Sequence, residues 1–336
     1  MISRMRALHQ DLPRPAMIRS QIVGTGRALP RQVMTNEMLC ARMNCAPEDI
    51  QRRTGVKTRY WVKEGETCSM LAAEAATEAL KSAHLSHSEV GLIIVSTTSP
   101  DFIFPSTACR VQQMLGASRA AAFDIGASCT GFLYALSIAD QYIRNQAIQY
   151  ALVIAAEVKS VFLDPTDFAT AILFGDGAGA VVLSKGKVGI RTIRLHAEGT
   201  AHHLVRLPAG GSRQPLTATS LRDRQHYMHM EGPSLFRKAT YRTLQIIAAL
   251  LAEHPQINWA LLHQANLRML NQIFKKNPNL KSHLTIQKWG NTSSASLPMA
   301  LDDAVRLRQI KPGDCVALCA VGGGMTWGAA VVDWTV

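Results

Sequence analysis

Three residues of this sequence have types and positions that could do nucleophilic chemistry: Cys129, His263 and Asn291. Cys129 comes just after the short apolar run 120–127 and just before 132–140, where apolar residues recur at helical spacing. It therefore stands where a buried strand turns into the first turn of a helix. Unpaired backbone N–H groups gather at such a point, and their partial positive charge lowers a thiol pKa and makes a thiolate available. A cysteine in an apolar stretch is otherwise commonly an inert packing residue. His263 ends the apolar run Trp259 to Leu262, and Asn291 lies in the small-residue turn Gly290 to Ser296 that opens a helix including 299–306. Alone, His263 reads as a hydrogen-bonded structural histidine and Asn291 as a cap. Strand ends leading into loops are where α/β proteins place ligands, so the three together are able to form a nucleophilic site.

The elements that must position these residues can be read in chain order. The segment 21–26 reads as a strand ending at a glycine turn, with only a weak hint of phosphate binding because the third glycine of a dinucleotide fingerprint is missing. The segment 48–59 reads as a basic loop, suited to a phosphate-bearing ligand or to a wet surface. A helix is expected over 67–83 with Thr67 as N-cap, and another over 106–115. The continuous β-branched run 90–96 predicts a central parallel strand, and 151–157 a further buried strand. Two similar phrases, 174–183 and 321–332, each run from a glycine-rich turn into an apolar strand. Each closes a block of alternating strand and helix, which suggests two related α/β halves meeting near Ser184 to Gly189. The polar stretch 206–229 reads as an insertion.

Composition bounds the function classes. A chain of 336 residues with 47% apolar and 18% charged content is that of an ordinary globular enzyme. No apolar run reaches membrane-spanning length. Residues 1–17 read as a lead-in without the apolar core of a signal peptide. The seven cysteines show no disulfide-framework or metal-knuckle spacing, which predicts reduced thiols, no metal and a cytoplasmic home. The net charge of +12 is dispersed, with no Lys/Arg block of nucleic-acid type, and points to an acidic protein or phosphate-bearing partner. A papain-type protease shares the Cys, His, Asn order, but its cysteine lies near the mature N-terminus in a C-G-S-C-W context. Here the context is Ser-Cys-Thr-Gly-Phe deep in the chain, so that reading is set aside.

The phrases Arg53-Thr54-Gly55, Phe104-Pro105-Ser106, Cys129-Thr130-Gly131-Phe132, Phe174 to Gly179, His263-Gln264-Ala265-Asn266, Gly290-Asn291-Thr292-Ser293 and Gly322-Gly323-Gly324 occur in order from about Ile18 to the end. In these the chain resembles β-ketoacyl-acyl carrier protein synthase III, the initiating ketosynthase of the thiolase superfamily. The resemblance implies an α/β, five-layered αβαβα thiolase-like fold of two repeated halves, 18–186 and 187–336, working as a homodimer. It implies Cys129 as the acyl-bearing nucleophile, and His263 and Asn291 as the residues that assist malonyl decarboxylation. The backbone N–H groups of Cys129 and Gly324 would form the oxyanion hole, and Phe104 the gate at the dimer interface. It further implies a phosphopantetheine-binding set of Arg53, Phe168, Arg237, Ala265 and Arg268. No cofactor is implied; the substrates are phosphopantetheine thioesters carried on acyl carrier protein or coenzyme A.

The sequence also departs from the family. Asp49 stands where a tryptophan stacks on the coenzyme A adenine, and Phe168 where an arginine stacks on the other side. Ser128 precedes the cysteine, and Thr130 replaces a common alanine. Asp49 would repel phosphates, so these changes suggest a specialised member that takes its malonyl unit from a carrier protein. Arg237, Lys238, Arg268, Lys275 and Lys276 are the docking candidates for that acidic partner. Two other readings remain: an acyltransferase of the same fold with an O, N or S acceptor, and a non-catalytic subunit of a heterodimer. The intact Cys-His-Asn set favours condensation over both.

Overall fold

The computed structural model describes residues 18–336; the expected lead-in 1–17 lies outside the described residues. The first half runs β1 (Arg19–Ala28), β2 (Gln32–Thr35), α1 (Asn36–Met43), α2 (Pro47–Thr54), β3 (Thr58–Trp61), α3 (Cys68–Ser82), β4 (Leu92–Ser96), α4 (Thr107–Leu115), β5 (Ala121–Ile125), α5 (Gly131–Arg144), β6 (Tyr150–Glu157) and β7 (Gly177–Gly186). The second half runs β8 (Ile190–Ala197), β9 (Val205–Arg206), α6 (Ala218–Arg222), β10 (His229–Met230), α7 (Gly232–Glu253), β11 (Trp259–Leu262), α8 (Leu267–Lys276), α9 (Ile286–Trp289), α10 (Ser296–Arg306), β12 (Cys315–Gly322) and β13 (Thr326–Asp333).

Two sheets carry the architecture. The first has the order β1-β7-β6-β4-β5, with β4 parallel to both β5 and β6. The second, β11-β12-β13-β8, repeats this arrangement strand for strand except at the last position. There the fifth strand is reduced to a single parallel bridge between Trp259 and Lys281. Alternation of side chains decides the layers. In β4, Leu92 and Ile94 enter one core while Ile93 and Val95 enter another, and in β6 Ala151, Val153 and Ala155 separate in the same way from Leu152, Ile154 and Ala156. In β12, Val316, Leu318 and Ala320 face the shared core, and Cys315 and Cys319 face the opposite layer. The shared core holds Phe132 and Leu136 of α5 and Leu297 and Leu301 of α10, so these two helices lie between the sheets. Helix α3 packs outside the first sheet and α7 outside the second, completing the five αβαβα layers.

Thr67 caps its helix as the sequence predicts, accepting from the backbone N–H of Met70, and Ser106 caps α4 in the same way, accepting from Cys109 N–H. Three local expectations are corrected. Gly24 and Gly26 lie inside β1 rather than in a turn: a Cβ on either would fall 2.4 or 2.3 Å from the Ala79 or Ala75 carbonyl oxygen of α3. Their role is close strand–helix packing. The stretch 48–59 holds nearly all of α2 and the first half of β3 instead of a loop, and Arg59 is fully buried. Its guanidinium donates to Asn36 Oδ1 at 2.7 Å and to the Ile172 carbonyl at 2.6 Å, and burial lowers its pKa to about 10. Cys40 of α1 and Cys45 of the connection that follows it form a disulfide, against the expectation that all cysteines are thiols. Among the described residues, no helix is long and apolar enough to cross a membrane.

Candidate active site

Cys129 sits in a single 3-10 turn, Ser128–Thr130, between the end of β5 and the start of α5. Three features shape the turn. Ser128 adopts a positive φ of 47°, Thr130 Oγ1 donates to the Ala127 carbonyl at 2.6 Å, and Thr326 Oγ1 of β13 donates to the same carbonyl at 3.2 Å. The end of β12 is pressed against the turn. A Cβ on Gly322 would lie 2.6 Å from the Cys129 amide nitrogen, so only glycine permits this approach.

The thiol pKa runs opposite to the expectation from helix position. Part of the sulfur's residue surface stays open to the cavity, but the protein packed around it pushes the Cys129 thiol up to about 11. The hydroxyl of Ser293, 3.4 Å from the sulfur, and the cation of Lys159 act in the other direction. Desolvation is therefore larger than the favourable field of the short turn.

His263 extends the β11 pairing by donating its N–H to the Cys319 carbonyl at 2.8 Å. Its Nδ1 lies 2.6 Å from Ser296 Oγ, and that oxygen also accepts the Gln264 N–H at 3.1 Å. A proton on Nδ1 would leave the Ser296 hydroxyl with two donors and no acceptor for its own proton among the described residues, so the hydroxyl is assigned as donor to Nδ1 and the neutral imidazole as carrying its proton on Nε2. Burial lowers the His263 pKa to about 4, which keeps the ring neutral at physiological pH. Asn291 is held by its backbone, which accepts from Gly175 N at 3.1 Å and donates to the Leu173 carbonyl at 2.9 Å. Its Oδ1 accepts the Ser293 N–H at 2.8 Å, leaving the side-chain NH2 as a free donor.

The buried neutral histidine has a measurable consequence. An unfolded histidine takes up its proton near pH 6.5, whereas folded His263 does so only near 4. The unfolded state thus binds more protons between those values, and stability present above pH 6.5 is lost as pH falls through that window. The loss is on the order of 3 kcal/mol. Asp176, held up to about 6 by burial, contributes with the opposite sign over part of the same range. Urea midpoints of the parent and of His263→Gln, compared from pH 7 down to 4, isolate the term: the parent is expected to lose its margin over the variant as pH falls. A constant difference would refute it.

Cys129, His263 and Asn291 come together on one cavity of about 1020 Å³, with Ser293, Gly322 and Gly323 between them. Arg53, Phe168, Arg237, Ala265 and Arg268 line the same cavity. Gly324 stands one residue beyond the lining glycines. Phe104 is not on the cavity: it is 84% exposed, beside Ile103 at 87% and Phe102 at 52%. Arg53 lies over the Phe168 ring, 5.2 Å from its centroid, so the aromatic at this position has a cation partner within the chain. Asp49 is paired with Arg52, which offsets the repulsion expected of it. Lys238 is tied to Glu198 together with Arg242 and is not a free docking cation; Lys275 and Lys276 are exposed at the end of α8. Sequence reasoning missed Ser293, Ser296, Glu157 and Lys159. One signal was available for the last two: a carboxylate closing a buried strand, followed two residues later by a lysine, has to find a polar cavity.

Comparison with known proteins places this geometry. Residues 123–199 match the 3-oxoacyl-[acyl-carrier-protein (ACP)] synthase III family, and residues 249–334 match its C-terminal part. The β-ketoacyl-[acyl-carrier-protein] synthase III of Escherichia coli O9:H4 (strain HS) is 42% identical over 320 residues, covering 93% of this chain and 99% of that protein. The structure of 3-oxoacyl-[acyl-carrier-protein] synthase III from Aquifex aeolicus VF5 superposes with a TM-score of 0.86 at 39% identity, covering 94% of this chain and 100% of the other. The Pseudomonas aeruginosa PAO1 enzyme of the same name gives 0.86 at 31% identity, covering 95% and 99%.

Proposed function

The chain belongs to the 3-oxoacyl-[acyl-carrier-protein] synthase III family, and from that premise we propose that it condenses an acyl group carried on Cys129 with a malonyl thioester. The observation that carries the reading is the convergence of Cys129, His263 and Asn291 on one cavity from the ends of different elements. The Cys129 sulfur attacks the donor thioester carbonyl, the departing thiol takes the proton, and the acyl oxyanion is held by the Cys129 N–H and one from the Gly322–Gly324 turn. The malonyl thioester oxygen then accepts from His263 Nε2–H and the Asn291 amide. As the carboxylate leaves as CO2, its bonding pair forms the enolate that these two donors stabilise. The enolate carbon attacks the acyl carbonyl, and the Cys129 sulfur leaves, giving a β-ketoacyl thioester. No step requires a cofactor.

The partner in this reading is an acidic carrier protein that presents its phosphopantetheine arm past Arg53, Arg237, Ala265 and Arg268, drawn by the +12 charge. The exposed apolar patch Phe102 to Phe104 suits a second copy of the chain, whose Phe104 would reach the acyl end of the site. The test is CO2 release from malonyl carrier protein in the presence of an acyl donor, repeated with malonyl coenzyme A at low and high salt. Acyl-dependent CO2 release that is fastest with the carrier protein and weakened by salt is the expected result. Acyl transfer to another acceptor without CO2 release would replace this reading with the acyltransferase one.

A further inference from the structure

A buried ion pair that the condensation steps leave unused is linked to the nucleophile through one hydroxyl, that of Ser293. Glu157 closes β6 with no exposed surface, and the Lys159 ammonium lies 3.0 Å from its Oε2, with only 10% of the lysine side chain exposed. Thr98 and Lys159 both line the cavity beside Cys129. The carboxylate is fully served: Oε2 accepts from Ser99 Oγ at 2.7 Å and Thr98 N at 3.1 Å, and Oε1 from Ser294 Oγ at 2.9 Å and Ser293 Oγ at 3.1 Å. Lys159 also donates to Thr98 Oγ1, which leaves one of its three N–H groups unassigned and the ammonium on the cavity wall. Taking two charges out of water is costly, and a pair of apolar side chains would fill such a space as well. The arrangement therefore asks for a use.

The proton inventory supplies it. Ser293 gives its proton to Glu157, so its oxygen accepts from the Cys129 S–H. Once the thiol ionises, the sulfur needs a donor. Glu157 keeps five other donors, from the Thr98 amide and hydroxyl, Ser99, Ser294 and Lys159, so Ser293 can turn its hydroxyl to the sulfur at little cost. We propose that Lys159 is a positioning residue for the nucleophile: its ammonium, fixed by Glu157 and Thr98, supplies the positive potential that makes Cys129 reactive, and Ser293 is the hydroxyl that shifts its proton from carboxylate to thiolate. This rests on Cys129 being the nucleophile proposed above. The titratable groups facing the sulfur are Glu157, Lys159 and His263; Glu157 is held anionic by Lys159 and its hydrogen bonds, and His263 is neutral above about pH 4. The other charged groups on the cavity are Arg53, Asp167, Arg206, Glu231, Arg237 and Arg268.

The experiment is iodoacetamide alkylation of Cys129 in the full-length protein, followed by peptide mass spectrometry across the neutral to alkaline range. It reads the thiol directly and needs no condensation activity, so its failure is distinct from failure of the functional reading. From a parent midpoint near 11, Lys159→Met is expected to slow alkylation at neutral pH about tenfold and to raise the midpoint by about one unit. Lys159→Arg should restore most of the rate. Ser293→Ala should also raise the midpoint, whereas Glu157→Gln should lower it. If Lys159→Met fails to fold because Glu157 is left unpaired, the double variant Lys159→Met/Glu157→Gln leaves no lone buried charge, and a smaller upward shift is expected. An unchanged midpoint in a folded Lys159→Met or in the double variant would overturn the proposal, as would equal rates for Lys159→Met and Lys159→Arg.

Discussion

Cys129→Ser is expected to fold like the parent and to carry no acyl group after incubation with an acyl thioester, with condensation falling to background. The reason is chemical rather than structural. A hydroxyl occupies nearly the same space, keeps Ser293 as its neighbour and leaves the Gly322 contact undisturbed. It lacks the accessible anionic form that a thiol provides, even one raised to about 11. Intact-protein mass spectrometry reads the adduct and circular dichroism reads the fold. The five free cysteines make the control meaningful: Cys68, Cys315 and Cys319 are buried, and Cys109 is exposed. An adduct of parental yield on the serine variant, for instance at the exposed Cys109, would remove Cys129 from its assigned role.

His263→Ala and Asn291→Ala should each lower CO2 release from the malonyl thioester by about 10²–10³-fold, the usual effect of removing one oxyanion donor. Loading of Cys129 should survive in both, because neither side chain holds the acyl oxyanion. If the two donors serve one oxygen, the double variant should lose little more than the worse single variant. Ser296→Ala gives an internal check: it removes the proton that fixes Nδ1 as acceptor, so it should reproduce part of the His263→Ala defect with the ring still present. Native CO2 release in either alanine variant would show that the oxygen is held elsewhere.

Much of the framework is legible in local spacing. The run 90–96 is buried on both faces because β4 lies between two helical layers, and its unbroken apolar character says so. The repeated phrases 174–183 and 321–332 do correspond: β7 and β13 occupy the same position in the two sheets. Cys129, His263 and Asn291 stand out for the same reason, since each follows a strand or opens a helix, and these junctions are recorded by neighbouring residues. The glycines of β1, the buried Arg59 and the Cys40–Cys45 disulfide were not legible in this way. The first two depend on a partner segment whose approach no local pattern records, α3 for Gly24 and Gly26 and Asn36 and Ile172 for Arg59, whereas the disulfide is local and depends on the turn after α1 bringing two cysteines five residues apart together.

The sequence alone determined the alternation of strand and helix and the two-half plan, because hydrophobic periodicity and turn chemistry are properties of consecutive residues, and it marked Cys129, His263 and Asn291 as candidates through their junction positions and the family resemblance. Only the tertiary structure decided their chemical state. Burial raises the Cys129 thiol and lowers the His263 imidazole, Ser296 selects the histidine tautomer, and Glu157 with Lys159 sets the field at the sulfur. Protonation is governed by desolvation and by groups a few ångströms away, and these come from other strands and turns: Ser293 reaches Cys129 across 164 residues of chain, and Ser296 reaches His263 across 33.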